Sequence, residues 1–597
     1  MSSPGELRCL PPDEASGWRR VRRYAVPGWM IERATERRLA GDWRGACAAA
    51  NVDVAFDLPE IAEHCGDDVA AALTDDLGHL APDLLRWHLP RHLGGRTTLA
   101  TGRTVVLARY RPITPHEGPR ATPYLHITTG PMADGPQRIA LRFRTVGDEQ
   151  AAGVFGPTTE DWRPARHLWD VRHTPELRER CGGGQDRSPF FRADGTALGP
   201  DDLPAAGPGQ DDPAARTEWT TLTHRRDGSP AAFAAAGVQL DLTPPDKPGW
   251  YQADPEQLLS GIALNHARLQ PEVRRHPSAG VGGRFLIAAH WRTYLLLEPV
   301  DGGGLLVRTV DREQAEGLPF LAESLWRRLP DLDLLRDGEI APEQLHPLVR
   351  EALFPALRVP PGQGGPPAPA APAPVRVRCR GAWHEVGFRP GGPLSMPHSD
   401  DERQREQALR AFGGSVAGCF AVEQIWTSGK GRLPKALRAQ RSELFLRAQH
   451  GDTPGVLALL DAGVDARVRD AGGRTLLHVL NLLDHEELLP RLLAAGADLE
   501  ARDRRERTPL FTAVNDLGSK TLVEALVAAG ARLDVTDESD VSLAQLVRRY
   551  KRPDLAFLRD RVQAEHPGIG ADWWDEWLDE QEQYDSEDPD DEEEPVL

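Results

Sequence analysis

Lysine is nearly missing from this chain, with five lysines against 66 arginines in 597 residues. Nothing in protein physics requires that skew, which reads as the codon bias of a GC-rich bacterial genome. There is no C-x-x-C pair. The six cysteines, Cys9, Cys47, Cys65, Cys181, Cys379 and Cys419, are scattered, which argues for reduced thiols in a cytoplasm and against a disulfide framework. No run approaches the ~18 apolar residues of a membrane span. The opening Met1-Ser2-Ser3-Pro4-Gly5-Glu6 carries no apolar signal core. The expectation is a soluble, cytoplasmic chain with no membrane partner.

Signatures of chemistry are also missing. Gly429-Lys430-Gly431 has neither the hydroxyl residue after the lysine nor the upstream glycine spacing of a P-loop. There is no H-E-x-x-H. The run Gly413–Gly418 misses the G-x-S-x-G elbow by one position. Gly280-Val281-Gly282-Gly283 precedes a strand pattern, the wrong order for a dinucleotide turn. No basic-aromatic stripe or nucleic-acid module is present. The one cluster with ligand chemistry is His167, Asp170 and His173, at every third residue and with Cys181 nearby. Imidazole and carboxylate on one side of a helix could hold zinc. With no second set of ligand-spaced residues, interfacial histidines are the plainer reading. No catalytic residue, no metal site and no cofactor is assigned, and no nucleic-acid partner is expected.

What is present is organised by a repeat. Leu459-Leu460-Asp461-Ala462-Gly463, Leu492-Leu493-Ala494-Ala495-Gly496 and Leu526-Val527-Ala528-Ala529-Gly530 recur at steps of 33 and 34 residues. Such a period marks units that bury their apolar faces against one another. Upstream of these segments stand Thr475-Leu476-Leu477-His478-Val479-Leu480 and Thr508-Pro509-Leu510-Phe511-Thr512-Ala513, with weaker copies at Ser442–Ala448 and Ser542–Leu546. The hydroxyl residue suits a helix N-cap and Pro509 the first helical position.

These motifs resemble the ankyrin repeat family. The resemblance implies four repeats over 434–565, an all-α helical solenoid with hairpin fingers at 465–470, 498–503 and 534–537, and a surface that binds protein. It implies no catalytic residue, and a structural hydrogen-bonding role for His478. The fingers are rich in arginine: Arg467, Arg469, Arg474, Arg502, Arg504, Arg505 and Arg507. Two readings are open, a basic rim for an acidic partner or ordinary solvated turns.

The rest of the chain reads as follows. Residues 1–93 look helical. Residues 94–359 read as an α+β domain of antiparallel strands, at Thr104–Tyr110, Tyr124–Thr128, Arg138–Val146, Arg284–His290, Thr293–Glu298 and Leu305–Val310, with an irregular Gly/Pro-rich insert near 181–215. One helix is expected from Asp254 to Val273, with Gln257 completing a capping box. A Pro/Ala/Gly linker covers 360–374. A small α/β unit at 375–433 abuts the repeats. The last segment, 566–597, opens on Trp573, Trp574 and Trp577 and becomes acidic and disordered. From Asp572 onward it holds 14 acidic and no basic side chains, so the other 571 residues carry about −5 of the net −19. The fold class expected is multidomain, α+β followed by repeats. The function expected is a monomeric, non-enzymatic adaptor or scaffold for a protein partner. The alternative is an N-terminal enzyme or small-molecule binder that the repeats target.

Overall fold

The computed structural model describes residues 8–110, 122–146, 158–209, 211–243, 254–276, 283–290, 293–360, 364–389, 394–413 and 416–587. The acidic end from 588 and the run Gly280-Val281-Gly282 lie outside the described residues. The chain divides into two compact units, residues 1–133 with 138–367, and residues 368–597 with the short segment 134–137.

The first unit is built on two mixed sheets. Strands β1 (Val52–Val54), β2 (Thr104–Arg109), β3 (Thr122–Thr129), β4 (Ile139–Val146) and β5 (Thr159–Asp161) lie in the order β1-β4-β3-β2-β5. Strands β6 (Gln239–Asp241), β7 (Phe285–His290), β8 (Thr293–Val300) and β9 (Gly304–Val310) lie in the order β6-β9-β8-β7. The central pairings are antiparallel, as period-two alternation predicts. Each sheet also gains short edge strands in parallel: β1 on β4, β5 on β2 and β6 on β9. Three-residue strands are too short to show a period, so the sequence reading of purely antiparallel sheets is corrected to mixed ones.

The expected boundary at residue 93 is not a boundary between cores. One apolar cluster runs from Leu10 to Phe354. Arg22, on the helix Pro12–Tyr24, makes a paired contact with Asp331 (Nη2–Oδ2 2.6 Å, Nε–Oδ1 2.9 Å), and the Trp87 indole N–H adds a third bond to that carboxylate. Both charges are buried, so each needs the other. The segment 181–215 is irregular, yet it is packed. Phe190 and Phe191 are buried, and the Ser188 hydroxyl donates to the Leu353 carbonyl at 2.8 Å. The single helix expected from Asp254 is two, Pro255–Gly261 and His266–Arg275. Asp254 caps the first by accepting from the Glu256 N–H, and the Leu264 backbone bridges to Arg327 between them.

The second unit begins with a hairpin, β10 (Val375–Cys379) and β11 (Ala382–Val386). Its two-residue turn, Arg380-Gly381, has positive φ at both positions, the geometry that matches strand twist. Helices Asp400–Ala411 and Gly418–Ser428 follow. Four helix pairs come next: Lys435–Gln449 with Thr453–Asp461, Leu476–Leu482 with His485–Ala494, Pro509–Asn515 with Lys520–Ala528, and Leu543–Arg549 with Ala556–Glu565. Thr508, Ser519 and Ser542 cap their helices by accepting backbone N–H bonds. One apolar cluster runs from Val375 through all four pairs to Val562. The hairpin and the helix Gly418–Ser428 therefore share the core of the repeats. Trp426 is fully buried, stacks edge-on against Phe388, and accepts the Arg469 N–H on its carbonyl. At the other end, the helix Asp572–Glu587 packs Trp574 and Leu578 inward, while Trp573 and Trp577 remain exposed.

Candidate functional site

The fingers are assembled by one aspartate each. Asp470 Oδ1 accepts the N–H groups of Gly472 and Arg474, Asp503 Oδ1 those of Arg505 and Arg507, and Asp537 Oδ1 those of Ser539 and Val541. A short acceptor side chain that satisfies its own downstream backbone fixes the turn. Successive fingers are then joined by one backbone bond per step. Arg504 N–H donates to the Gly472 carbonyl and Glu538 N–H to the Arg505 carbonyl, each at 2.9 Å. His478 ties the helices to this edge. Its Nδ1 accepts the Thr475 N–H at 3.1 Å, so its Nε2 carries the proton and donates to the Arg507 carbonyl at 3.0 Å. Burial pushes its pKa down to about 4, which keeps the ring neutral.

The seven arginines of this edge fall into two groups. Arg474 and Arg507 stand four residues after the finger aspartates and pair with Asp470 and Asp503 at 2.8 and 2.7 Å. Arg467 pairs with Asp465 at 3.0 Å, and Arg469 donates to the carbonyls of Gly473 and Arg502. These four brace the fingers. Arg502, Arg504 and Arg505 are exposed at the tip. Arg502 donates to the Glu506 carbonyl at 3.2 Å, and the carboxylates nearest Arg502 and Arg505 are distant, Glu506 at 3.7 Å and Glu538 at 3.8 Å. Arg504 has no side-chain partner among the described residues.

His167, Asp170 and His173 do not converge. His167 lies in the 3₁₀ turn Arg163–Leu168, Asp170 forms an isolated β-bridge with Leu80, and His173 sits in the turn before Thr174–Glu176, so no single helix carries all three and spacing by three does not align them. Asp170 is occupied by Arg166 and Arg172, and His173 Nδ1 meets Glu176 at 2.7 Å. His167 instead faces a cavity of about 60 Å³ within the first unit, lined also by Trp18, His88, Glu160, Ser324 and Arg327. Trp18 Nε1, His88 Nε2, His167 Nδ1, Ser324 Oγ and Arg327 Nε are all buried without a hydrogen-bond partner among the described residues. Burial holds both imidazoles well below their usual pKa. Desolvation, then the Glu160 charge, push Glu323 upward, although its side chain is partly exposed and pairs with Arg327 at 2.6 Å.

A second cluster escaped the sequence reading. Cys379 at the end of β10, His384 on β11, His398 and Cys419 bring their ligand atoms within 4.8 Å of one another. In the hairpin register Val377 faces His384, so His384 projects on the same inward face as Cys379. Gly418 admits the neighbouring helix. Its φ is +64°, and a Cβ there would lie 2.5 Å from Cys379 Sγ. Burial, then the Cys379 sulfur, push the Cys419 thiol up to about 12. The signal was Cys-x4-His across a tight turn, and it lacked the C-x-x-C form.

Residues 444–537 match the family model for ankyrin repeats (3 copies), and this part of the chain carries ankyrin repeats. Shorter similarities connect the chain to several proteins. It is 36% identical over 92 residues to an L-asparaginase of Dirofilaria immitis, covering 15% of each chain. It is 35% identical over 71 residues to serine/threonine-protein kinase 12 of Arabidopsis thaliana, 12% of this chain and 16% of that protein. It is 35% identical over 68 residues to an ankyrin repeat-containing protein of Schizosaccharomyces pombe, 11% of this chain and 33% of that one. The chain thus spans a third or less of these relatives. Ankyrin repeats indicate protein–protein interaction. No helix among the described residues is long and apolar enough to cross a membrane.

Proposed function

We propose that this protein is a non-enzymatic, monomeric adaptor that holds a protein partner on the finger edge of its repeat solenoid. The observation that carries this reading is the prebuilt tip. Arg502, Arg504 and Arg505 stand exposed on a finger whose backbone is fixed by Asp503 and bonded to its neighbours on both sides. Fixed backbone loses little entropy on binding, and arginine forks suit carboxylates on the partner. An acidic protein surface is the class of ligand that fits, in a cytoplasmic setting without nucleic acid. The test is capture from native extract by the full chain and by the R502E/R504E/R505E variant. The partner is expected to be lost with the variant while the thermal midpoint stays within about 2 °C, since exposed charges contribute little to stability. Equal capture by both sinks the rim as the site.

The cavity of the first unit supports a second reading, a small polar ligand held between His88, His167 and the Glu160–Glu323 pair. Five buried polar atoms without partners at one cavity are the observation in its favour, because native proteins pair such groups. Its volume exceeds the ~15 Å³ that a single water requires. Mass spectrometry of small molecules released from the purified native chain tests it. A specific compound lost in His167→Ala supports the reading, and nothing but solvent ends it.

A further inference from the structure

We infer that Cys379, His384, His398 and Cys419 are the four ligands of one structural zinc ion that fastens the hairpin β10–β11 and the helix Gly418–Ser428 to the first repeat. Two thiols and two imidazoles are the donor set zinc selects. Their mutual distances fit one tetrahedral ion. With Zn–N near 2.05 Å and Zn–S near 2.3 Å, tetrahedral edges are about 3.3 Å for N···N and about 3.6 Å for S···N. The structure has His384 Nδ1 to His398 Nε2 at 3.1 Å, Cys379 Sγ to His398 Nε2 at 3.6 Å and Cys419 Sγ to His384 Nδ1 at 3.6 Å.

The surroundings orient the ligands in the way zinc sites require. His398 Nδ1 lies 3.3 Å from Glu402 Oε2, so the ring donates there and turns the Nε2 lone pair toward the sulfurs. Glu402 is itself fixed, accepting the Ser399 N–H at 3.1 Å while the Ser399 hydroxyl accepts the Glu402 N–H at 3.2 Å. A carboxylate behind a ligating histidine is a recurrent outer-shell partner. All four positions come from protein and both cysteines are buried, leaving no open position for substrate. A closed site of this kind supplies folding energy rather than chemistry. What it would hold is the segment that ends in Trp426, whose carbonyl receives the first finger's Arg469 N–H.

The test is metal analysis of the full chain purified without added metal or chelator. About one zinc per chain is expected by mass spectrometry of the elements, falling to near zero in C379S/C419S and unchanged in Cys65→Ser, whose thiol is buried in the core of the first unit. Because the double variant can fail to fold, the wild-type chain is also exchanged with cobalt(II). Tetrahedral coordination with thiolate gives intense visible bands and charge transfer, and octahedral coordination gives weak ones. Glu402→Gln is expected to keep the tetrahedral spectrum while weakening zinc affinity 10- to 100-fold. A chain without zinc that also fails to bind added zinc, zinc retained in the double variant, an octahedral cobalt spectrum, or a Cys379–Cys419 disulfide in the native chain would each overturn the assignment.

Discussion

Single residues in the second unit carry roles that their exposure alone does not reveal. Asp503 is buried and serves two backbone N–H groups and the Arg507 guanidinium. Asp503→Ala strands all three, so a loss of about 3 kcal/mol is expected in urea unfolding, whereas Asp503→Asn keeps one amide oxygen as acceptor and costs about 1 kcal/mol. His478 links stability to pH. Its folded pKa of about 4 lies below the ordinary value of 6.5, so the unfolded chain binds the proton first as pH falls. Its contribution is whole above pH 6.5 and is lost progressively down to pH 4, on the order of 3 kcal/mol in all. His478→Gln should be less stable at pH 7 and flatten that part of the profile, as denaturant midpoints taken at half-unit pH steps would show.

At the scale of elements, the repeats were legible because the middle ones carry their own punctuation: a hydroxyl residue before the first helix (Thr475, Thr508) and an apolar pair with a glycine at the end of the second (Leu492-Leu493 with Gly496, Leu526-Val527 with Gly530). The four helix pairs fall where the period of 33–34 residues puts them. The long strands were legible through alternation, as in β4, where Ile139 and Leu141 are buried. The parallel edge strands and the break in the helix after Asp254 were not, because three residues show no period and a break is set by long-range pairing. The finger arginines show a related limit. Arg474 and Arg507 look like surface charge in the sequence, and only the turn geometry reveals that their aspartates claim them. The metal-ligand set was hidden for the same reason, as its members run from Cys379 to Cys419 and only Cys379 and His384 share the hairpin. Gly418 tests that meeting directly. Gly418→Ala brings a Cβ against Cys379 and forces a positive φ on a residue with a side chain, at a cost of about 1–2 kcal/mol for the backbone alone. A lowered zinc content together with a lowered midpoint is the expected outcome.

For the whole molecule, two separate cores predict two unfolding events rather than one. In calorimetry of the full chain, a zinc chelator is expected to shift the transition belonging to residues 368–597 and leave the other within about 1 °C. Coincident transitions that move together would show that the cores unfold as one. The same measurement with R502E/R504E/R505E should leave both events in place, which separates loss of a binding surface from loss of fold.

The helix Asp572–Glu587 has a meaning beyond its own packing. Gln545 donates to the carbonyl of Ala571, just before this helix, and to the Asp575 carboxylate, Arg548 reaches Asp575 and Asp579, and Arg549 lies over the Trp574 ring. An array of identical-looking layers has no intrinsic reason to stop, and an uncovered final layer is a landing place for the first layer of another molecule. Here both terminal layers are roofed, one by the hairpin and the Trp426 helix, the other by this amphipathic lid. A chain shortened to residue 566 keeps the first roof and loses the second, and is therefore expected to gain concentration-dependent pairing of two uncovered final layers, seen in sedimentation velocity as a dimer.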